Sequence, residues 1–121
     1  MTHTVLIVDD NLNIRRGLRE LFQQEEDFAV CGDAENGREG IEKAQELHPD
    51  LILLDLSMPV MNGLDATRVL KRVMPEVPVI IYSAFDDPVT ENEALSAGGS
   101  AFVSKSERMS VLLGKARNLV M

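Results

Sequence analysis

The chain has 121 residues, of which 12 are Lys or Arg and 20 are Asp or Glu, so its formal charge is −8. This length is typical of one domain with its own core, and a hydrophobic share of 45% is that of an ordinary folded protein. The negative charge argues against a nucleic-acid or anionic-membrane surface, and no apolar run is long enough to span a bilayer. With one cysteine and no signal-peptide pattern, we expect a reducing, cytoplasmic setting.

Short apolar runs alternate with segments of helical periodicity along the sequence. The runs that predict strands are residues 5–8, 28–34, 51–54, 79–82 and 101–104. Apolar residues spaced three or four apart follow each run and predict a helix; the fourth helix, about 88–97, has the least regular spacing. Such alternation is typical of five βα units, which form a parallel sheet with helices on both faces. We therefore predict an α/β fold in which Cys31 is a small buried side chain.

Four of the five predicted strands end in a side chain of the kind that handles phosphate or magnesium. Asp9 and Asp10 follow the first strand, Asp55 the third, Ser83 the fourth and Lys105 the fifth. Taken singly, each has an ordinary explanation, such as a helix cap, a turn or a surface charge. Because the carboxyl ends of parallel strands share one edge of a sheet, all five are expected to converge where open α/β sheets bind ligands.

The predicted cluster needs a cation. Three carboxylates gathered at about 4 Å repel one another by roughly 4 kcal/mol per pair at an effective dielectric near 20. Mg²⁺ relieves this repulsion and takes one or two carboxylates directly, so we expect Asp10 and Asp55 as ligands and Asp9 acting through water. Asp55 is then the candidate nucleophile toward a phosphoryl group, while Lys105 and Ser83 hold the transferring oxygens.

The same residues resemble the receiver domain of bacterial two-component response regulators, over essentially the whole of residues 1–121. The matching motifs are Asp9-Asp10, Asp55-Leu56-Ser57-Met58-Pro59 followed by Asn62-Gly63, Ser83-Ala84, and Lys105. The resemblance implies a flavodoxin-like (βα)5 fold with strand order 2-1-3-4-5. It also implies that Asp55 accepts phosphate, that the backbone carbonyl of Ser57 joins Asp10 and Asp55 in holding Mg²⁺, and that Ser83 and Lys105 contact the phosphate.

The resemblance further implies a conformational switch. Phe102 matches the switch aromatic of the fifth strand, so Ser83 is expected to move toward the phosphoryl group while the Phe102 ring rotates into the vacated space. The face formed by helix four, strand five and helix five would change with it. The implied partners are a sensor histidine kinase or phosphotransfer protein, a downstream effector, and a second copy of the chain after phosphorylation.

The segments Arg15-Arg16-Gly17-Leu18, Phe85-Asp86-Asp87 and Ala97-Gly98-Gly99 resemble the subclass that precedes LuxR-type helix-turn-helix domains in nitrate-response-type transcription factors. An effector domain of that kind would lie beyond residue 121, and the receiver itself would contact no nucleic acid and no membrane. Kinase recognition is expected on exposed side chains of helix one. The candidates for this recognition are Asn11, Asn13, Arg15 and Arg16.

Three positions bear on how the resemblance applies. Many receivers have proline after the lysine, whereas this chain has Ser106, so the geometry of that peptide bond stays open. Phe102 stands where tyrosine is commoner, which leaves switching by packing alone. Phe85 lies two residues past Ser83 and cannot orient an attacking water, so slow autodephosphorylation is predicted.

Two other functions compete with a phosphoacceptor switch. An aspartyl-phosphate phosphatase uses the same chemistry, but that class pairs its nucleophile with a second acid two residues later, where this chain has Ser57. A phosphate-independent interaction module would retain the fold without the acids and the lysine, all of which are present. Nucleotide binding is disfavoured because the sequence has no glycine-rich phosphate loop. A signalling phosphoacceptor, and not an enzyme, is therefore the favoured prediction.

Overall fold

The structure, a computed structural model, describes residues 2–121 and contains one parallel sheet. Its strands are β1 (His3–Val8), β2 (Phe28–Ala34), β3 (Leu51–Leu54), β4 (Val79–Ser83) and β5 (Ala101–Ser104). They lie in the order β2-β1-β3-β4-β5, and every neighbouring pair is parallel. The predicted fold class and strand order are confirmed, and the strand bounds agree with the sequence to within two residues at each end.

A helix follows each strand. The helices are α1 (Leu12–Gln23), α2 (Gly37–Leu47), α3 (Gly63–Val73), α4 (Pro88–Ser96) and α5 (Met109–Val120). Among residues 2–121, none of these helices is long and apolar enough to cross a bilayer. The fourth helix has the weakest apolar face, as its irregular spacing predicts, and it buries one side chain, that of Ala94.

The sheet separates two apolar cores because side chains alternate between its faces. On one face, Leu18 and Phe22 of α1 and Leu112 of α5 pack against strand residues that include Val5 and Ile80. On the other face, α2, α3 and α4 pack against strand side chains that include Val8 and Ile81. The central strand β3 is buried on both faces along its whole length, which is typical of a parallel sheet covered by helices on both sides.

Four helices begin with an Asn or Asp side chain that accepts a hydrogen bond from the third helical residue. These N-cap residues are Asn11, Asn36, Asn62 and Asp87. An oxygen at this position satisfies one of the backbone N–H groups that a helix start leaves without a partner. Because Asn11 caps α1, neither Asp9 nor Asp10 is needed for capping, and both carboxylates are left for other contacts.

Strand β2 contains a bulge at Cys31. Val5 pairs with Val30 and Leu6 with Gly32, so Cys31 is the extra residue between the two pairs. Its thiol is half-buried against the core, lies 3.5 Å from the Val5 carbonyl oxygen and has a pKa raised by burial. The prediction of a small apolar side chain at this position is met in part, since the thiol keeps some contact with solvent.

Candidate functional site

Asp9, Asp10 and Asp55 meet at the carboxyl edge of the sheet. Strands β1 and β3 are neighbours that pair Val8 with Leu54, so the residues following them lie side by side. One carboxylate oxygen from each acid lies within 4.8 Å of the others. Asp9 and Asp55 are buried, whereas Asp10 is exposed. The predicted convergence of the three acids is therefore present in the structure.

Lys105 reaches the same cluster from β5. Its ammonium nitrogen lies 3.0 Å from Oδ2 of Asp9 and 3.3 Å from Oδ1 of Asp55, and 5.8 Å from the centre of the Tyr82 ring. Burial alone lowers the pKa of this ammonium, but the hydrogen bond to Asp9 and the charge of Asp55 outweigh burial and raise its pKa. Lys105 thus stays charged and bridges two of the three acids.

Asp55 has the most perturbed carboxyl group of the site. Burial at the end of β3 and the neighbouring charge of Asp9 raise its pKa to about 6, although Lys105 acts in the opposite direction. One lysine therefore does not balance the negative charge of the cluster. A carboxyl group with this pKa takes up a proton more readily than an ordinary aspartate. A divalent cation bound beside it would keep it ionised.

The hydrogen bonds of Asp9 and Asp10 differentiate their roles. Oδ1 of Asp9 accepts from the backbone N–H of Asn11 at 2.9 Å, and Oδ2 accepts from Lys105, so both oxygens already have partners. Within residues 2–121, the Asp10 carboxylate receives no hydrogen bond and no ion pair. A set of oxygen ligands with one free carboxylate fits a hard cation such as Mg²⁺, with Asp10 and Asp55 better placed than Asp9 for direct contact.

Ser83 and Phe102 occupy the positions that the sequence predicts for them. Ser83 ends β4 between β3 and β5; it is buried, and its hydroxyl oxygen accepts from the N–H of Phe85 at 3.0 Å. The Phe102 ring is buried in the core beside α4, together with Ile81 and Ala94. In this structure the ring is therefore turned inward.

The loop after β5 shows how Lys105 is held without a following proline. The backbone N–H of Ser106 donates to the Ser104 hydroxyl at 3.2 Å, and the two hydroxyl oxygens lie 2.7 Å apart. Glu107 closes the loop by accepting from the Ser104 N–H at 3.3 Å. A proline has no N–H for the first of these bonds. All peptide bonds between described residues are trans, which answers the question that the sequence left open at Lys105-Ser106.

The loop after β3 folds back tightly against Asp55. A Cβ on Gly63 would overlap the carbonyl oxygen of Asp55 and lie 2.7 Å from Cα of Leu56, so only glycine fits there. Val60 has φ of 68°, and the Met61 N–H donates across it to the Pro59 carbonyl at 2.7 Å. This is a three-residue γ-turn with positive φ at a β-branched residue, a strained arrangement. Ser57 is exposed in the same loop.

Two residues that the sequence did not assign to the site support it. Arg15 was expected to be an exposed recognition residue, but only 12% of its side chain is exposed, and it contacts the Asp9 carbonyl oxygen and Asp33. Asp33 lies one residue before the end of β2, at the same sheet edge. Like Asp55, Asp33 follows an apolar run in the sequence, so the same pattern could have identified it as a residue of this sheet edge. Asn11 and Arg16 are exposed, as expected.

A parallel sheet of this order, with acids, a hydroxyl and a lysine converging at its carboxyl edge, defines an α/β domain with an acidic ligand site at the end of its strands. The family described as the response regulator receiver domain matches residues 5–117. The chain belongs to this family, the receiver domains of two-component systems, which bind Mg²⁺ through an acidic pocket.

Individual relatives agree with the family assignment. The transcriptional regulatory protein LnrK of Bacillus subtilis is 40% identical over 101 residues, which are 84% of this chain and 46% of that protein. The chemotaxis protein CheY of Thermotoga maritima is 38% identical over 87% of each chain. A LuxR-family two-component response regulator from an Aurantimonas species has a TM-score of 0.95 at 26% identity, over 99% of this chain and 86% of that one. The chain thus spans less than half of LnrK and most of CheY.

Proposed function

We propose that this chain is a phosphoacceptor switch in which Asp55 accepts a phosphoryl group from a phosphohistidine or a small phosphodonor. The observation that carries the proposal is the pairing of Lys105 with both Asp9 and Asp55 beside the free carboxylate of Asp10. In this arrangement Asp10, Asp55 and the backbone carbonyl of Ser57 would hold Mg²⁺, and Asp9 would act through water. The ion, when bound, would supply charge neutralisation at the transferring oxygens.

The side chains divide the reaction between them. A carboxylate oxygen of Asp55 forms a bond to phosphorus while the phosphorus–nitrogen bond of the donor breaks, and the imidazole leaves with the electron pair. Lys105 is already 3.3 Å from Asp55, so its ammonium lies where negative charge develops on the phosphoryl oxygens. The hydroxyl of Ser83 now accepts from the Phe85 N–H and keeps its own hydrogen, so it provides a further donor when it turns toward the phosphoryl oxygens.

The same movement links phosphorylation to the surface. As Ser83 turns toward the phosphoryl group, the Phe102 ring takes the space beside it and leaves the core next to α4. Support comes from the weak anchoring of α4, which buries Ala94 alone, while Phe102 belongs to the same core cluster. The altered α4–β5–α5 face is then read by an effector or by a second copy of the chain.

The phosphodonor in this proposal is a sensor histidine kinase or a phosphotransfer protein in the cytoplasm. The similarity to the transcriptional regulatory protein LnrK and to a LuxR-family regulator supports transcriptional control, for which the proposed effector is a helix-turn-helix domain following residue 121. The acidic charge of −8 supports an output in which this domain itself contacts no nucleic acid.

The direct test is incubation with acetyl phosphate and Mg²⁺, followed by intact-mass measurement. The native chain is expected to gain one phosphoryl group, and Asp55→Asn none. Asp65→Asn, at an exposed acid of α3, is the matched control and is expected to react like the native chain. A native chain that stays unmodified, or an Asp55→Asn variant that is modified equally, would refute the proposal.

The same incubation separates the competing functions. Continued release of phosphate far beyond one equivalent would indicate a phosphatase. Absence of any adduct would indicate a phosphate-independent interaction module, which binds its partner protein equally well with and without the phosphodonor. A single adduct that decays over time without net turnover supports the switch.

A further inference from the structure

Within the segment Asp9-Asp10-Asn11, every polar atom of Asp9 has a hydrogen-bond partner, whereas the Asp10 carboxylate has none among residues 2–121. The Asp9 N–H donates to the Ala34 carbonyl at 3.0 Å, and the two Asp9 carboxylate oxygens accept from Asn11 and Lys105. The remaining group, the Asp9 carbonyl oxygen, accepts from Nη1 of Arg15 at 2.6 Å. Arg15 therefore completes the set of bonds that sets the direction in which Asp10 leaves the strand.

Arg15 is itself anchored to β2 by an ion pair. Its Nε donates to Oδ2 of Asp33 at 3.2 Å, and its side chain is mostly buried. Asp33 is anchored in turn. Its backbone carbonyl oxygen accepts from Nζ of Lys43 on α2 at 2.7 Å, and Nη2 of Arg19 lies 3.7 Å from Oδ1 of its carboxylate. The two contacts come from two different nitrogens, Nε and Nη1, which the planar guanidinium holds at a fixed spacing that the single nitrogen of an ammonium does not reproduce.

We propose that Arg15, anchored by Asp33, is the positioning residue of the metal-binding segment and sets the affinity of Asp10 for Mg²⁺. This inference rests on the proposed magnesium site and adds a role that the kinase-recognition prediction for Arg15 did not contain. Arg15 contacts a backbone oxygen of the segment and no carboxylate of the acid cluster, so it acts through geometry. Groups that orient metal ligands typically change metal affinity 10- to 100-fold when they are removed.

Charge and geometry make opposite predictions at this residue. If Arg15 acted only as a nearby positive charge, its removal would strengthen cation binding, because a repulsive neighbour of Mg²⁺ would be gone. If Arg15 positions the segment, its removal weakens binding, because Asp10 then samples several directions. The sign of the change in the dissociation constant therefore decides between the two explanations.

The experiment compares Arg15→Met, which keeps the apolar stem, with Arg16→Met, which removes the same charge from the exposed neighbouring position. Mg²⁺ dissociation constants are measured by NMR titration of the backbone amides of Asp10 and Asn11. Arg15→Met is expected to weaken Mg²⁺ binding about 10-fold. Arg16→Met is expected to change it less than about 2-fold or to strengthen it slightly.

Two additions keep the test decisive. Arg15→Lys retains the charge and is the gentler substitution; it is expected to weaken Mg²⁺ binding by a few-fold because it loses one of the two contacts. In EDTA, amide hydrogen exchange at Asn11 is expected to be several-fold faster in Arg15→Met and unchanged in Arg16→Met. This second measurement tests the positioning role without any metal.

The outcomes separate this inference from the proposed function. A native chain that shows no Mg²⁺-dependent shifts would refute the magnesium site, and unchanged Asn11 exchange in Arg15→Met would then refute the positioning role as well. A native chain that binds Mg²⁺, with folded Arg15→Met or Arg15→Lys binding equally or more tightly, would overturn the positioning role alone.

Discussion

Asp55 lies in the buried end of β3 beside Asp9, and both conditions favour its protonated form. Without a divalent cation the folded chain holds this carboxyl at a pKa of about 6, whereas an unfolded chain leaves it near the ordinary value of about 3.9. The folded state therefore binds more protons than the unfolded state between these two values. By linkage, the contribution of Asp55 to stability is greatest below pH about 4 and falls as the pH rises toward about 6.

Replacement of Asp55 by Asn should therefore stabilise the metal-free chain. At pH 7 in EDTA we expect the free energy of unfolding of Asp55→Asn to exceed that of the native chain by on the order of 2 kcal/mol, because no second buried negative charge remains beside Asp9. The difference should shrink toward zero near pH 4. Urea unfolding at both pH values measures it. Asp65→Asn should change stability by less than about 1 kcal/mol, and a less stable Asp55→Asn at pH 7 would contradict the expectation.

Phe85 is exposed at 57% and follows Ser83 by two residues, a position from which we expect its ring to flank the approach to Asp55. A polar side chain in its place can orient water, whereas the phenyl ring cannot. We expect Phe85→Gln to hydrolyse the aspartyl phosphate several-fold faster than the native chain, as for a modest general-base effect. The measurement is the rate of phosphate loss in Mg²⁺. Val89→Gln, at an exposed apolar position of α4, is the control and should leave the rate unchanged.

At the scale of elements, two glycines with opposite surroundings test how the β3–α3 loop is built. Gly63 packs against the backbone of Asp55 and Leu56, while a Cβ on Gly17 of α1 would meet no atom within 4 Å. We expect Gly63→Ala to destabilise the chain by about 1–3 kcal/mol and to reduce phosphorylation, because the Asp55 backbone must shift. Gly17→Ala should stabilise it by about 0.5–1 kcal/mol through better helix propensity. Urea unfolding and acetyl phosphate labelling measure both effects.

Val60 offers an independent test of strain in the same loop. It is 71% exposed and has φ of 68°, so its side chain gains little burial in return for an unfavourable backbone conformation. We expect Val60→Gly to raise the free energy of unfolding by about 1 kcal/mol, since the strain relieved exceeds the entropy that glycine adds to the unfolded chain. Val60→Ala keeps a Cβ and should recover less of this gain. Loss of stability in Val60→Gly would show that the turn is not strained.

The elements were the part of the structure that the sequence predicted best. Short apolar runs such as residues 51–54 alternate with segments of helical periodicity. This alternation, together with the aliphatic side chains of the runs, identifies them as buried strands. The bulge at Cys31 and the choice of Asn11 over Asp9 as helix cap did not follow from the pattern. Each depends on how two strands align or how a loop turns, which local periodicity does not specify.

For the molecule as a whole, the converging site was predictable because parallel topology sends Asp55 and Lys105 to one edge. The contact between Arg15 and Asp33, which supports the site, was not predictable. It joins residues 18 apart in the sequence and depends on the packing of α1 against β2. The same reason explains why Arg15 was assigned to an exposed face. Helical periodicity tells which side of a helix is apolar, but a long polar side chain can still turn inward.

Mg²⁺ should stabilise the entire chain, because the three acids are gathered only in the folded state. At a free Mg²⁺ concentration about 100 times the dissociation constant, we expect the free energy of unfolding to rise by about 2.7 kcal/mol. EDTA should reverse the gain, and KCl at equal ionic strength should not reproduce it. Thermal or urea unfolding measures the effect. Asp10→Asn, which lacks the free carboxylate, should gain much less.

The acids, the hydroxyl and the lysine of the site all follow strands whose side chains are covered by helices on both faces. The outward sides of the helices supply none of these reactive groups, so they are free to change without disturbing the reaction. Receiver domains with the same site can therefore differ in the partners that recognise their exterior.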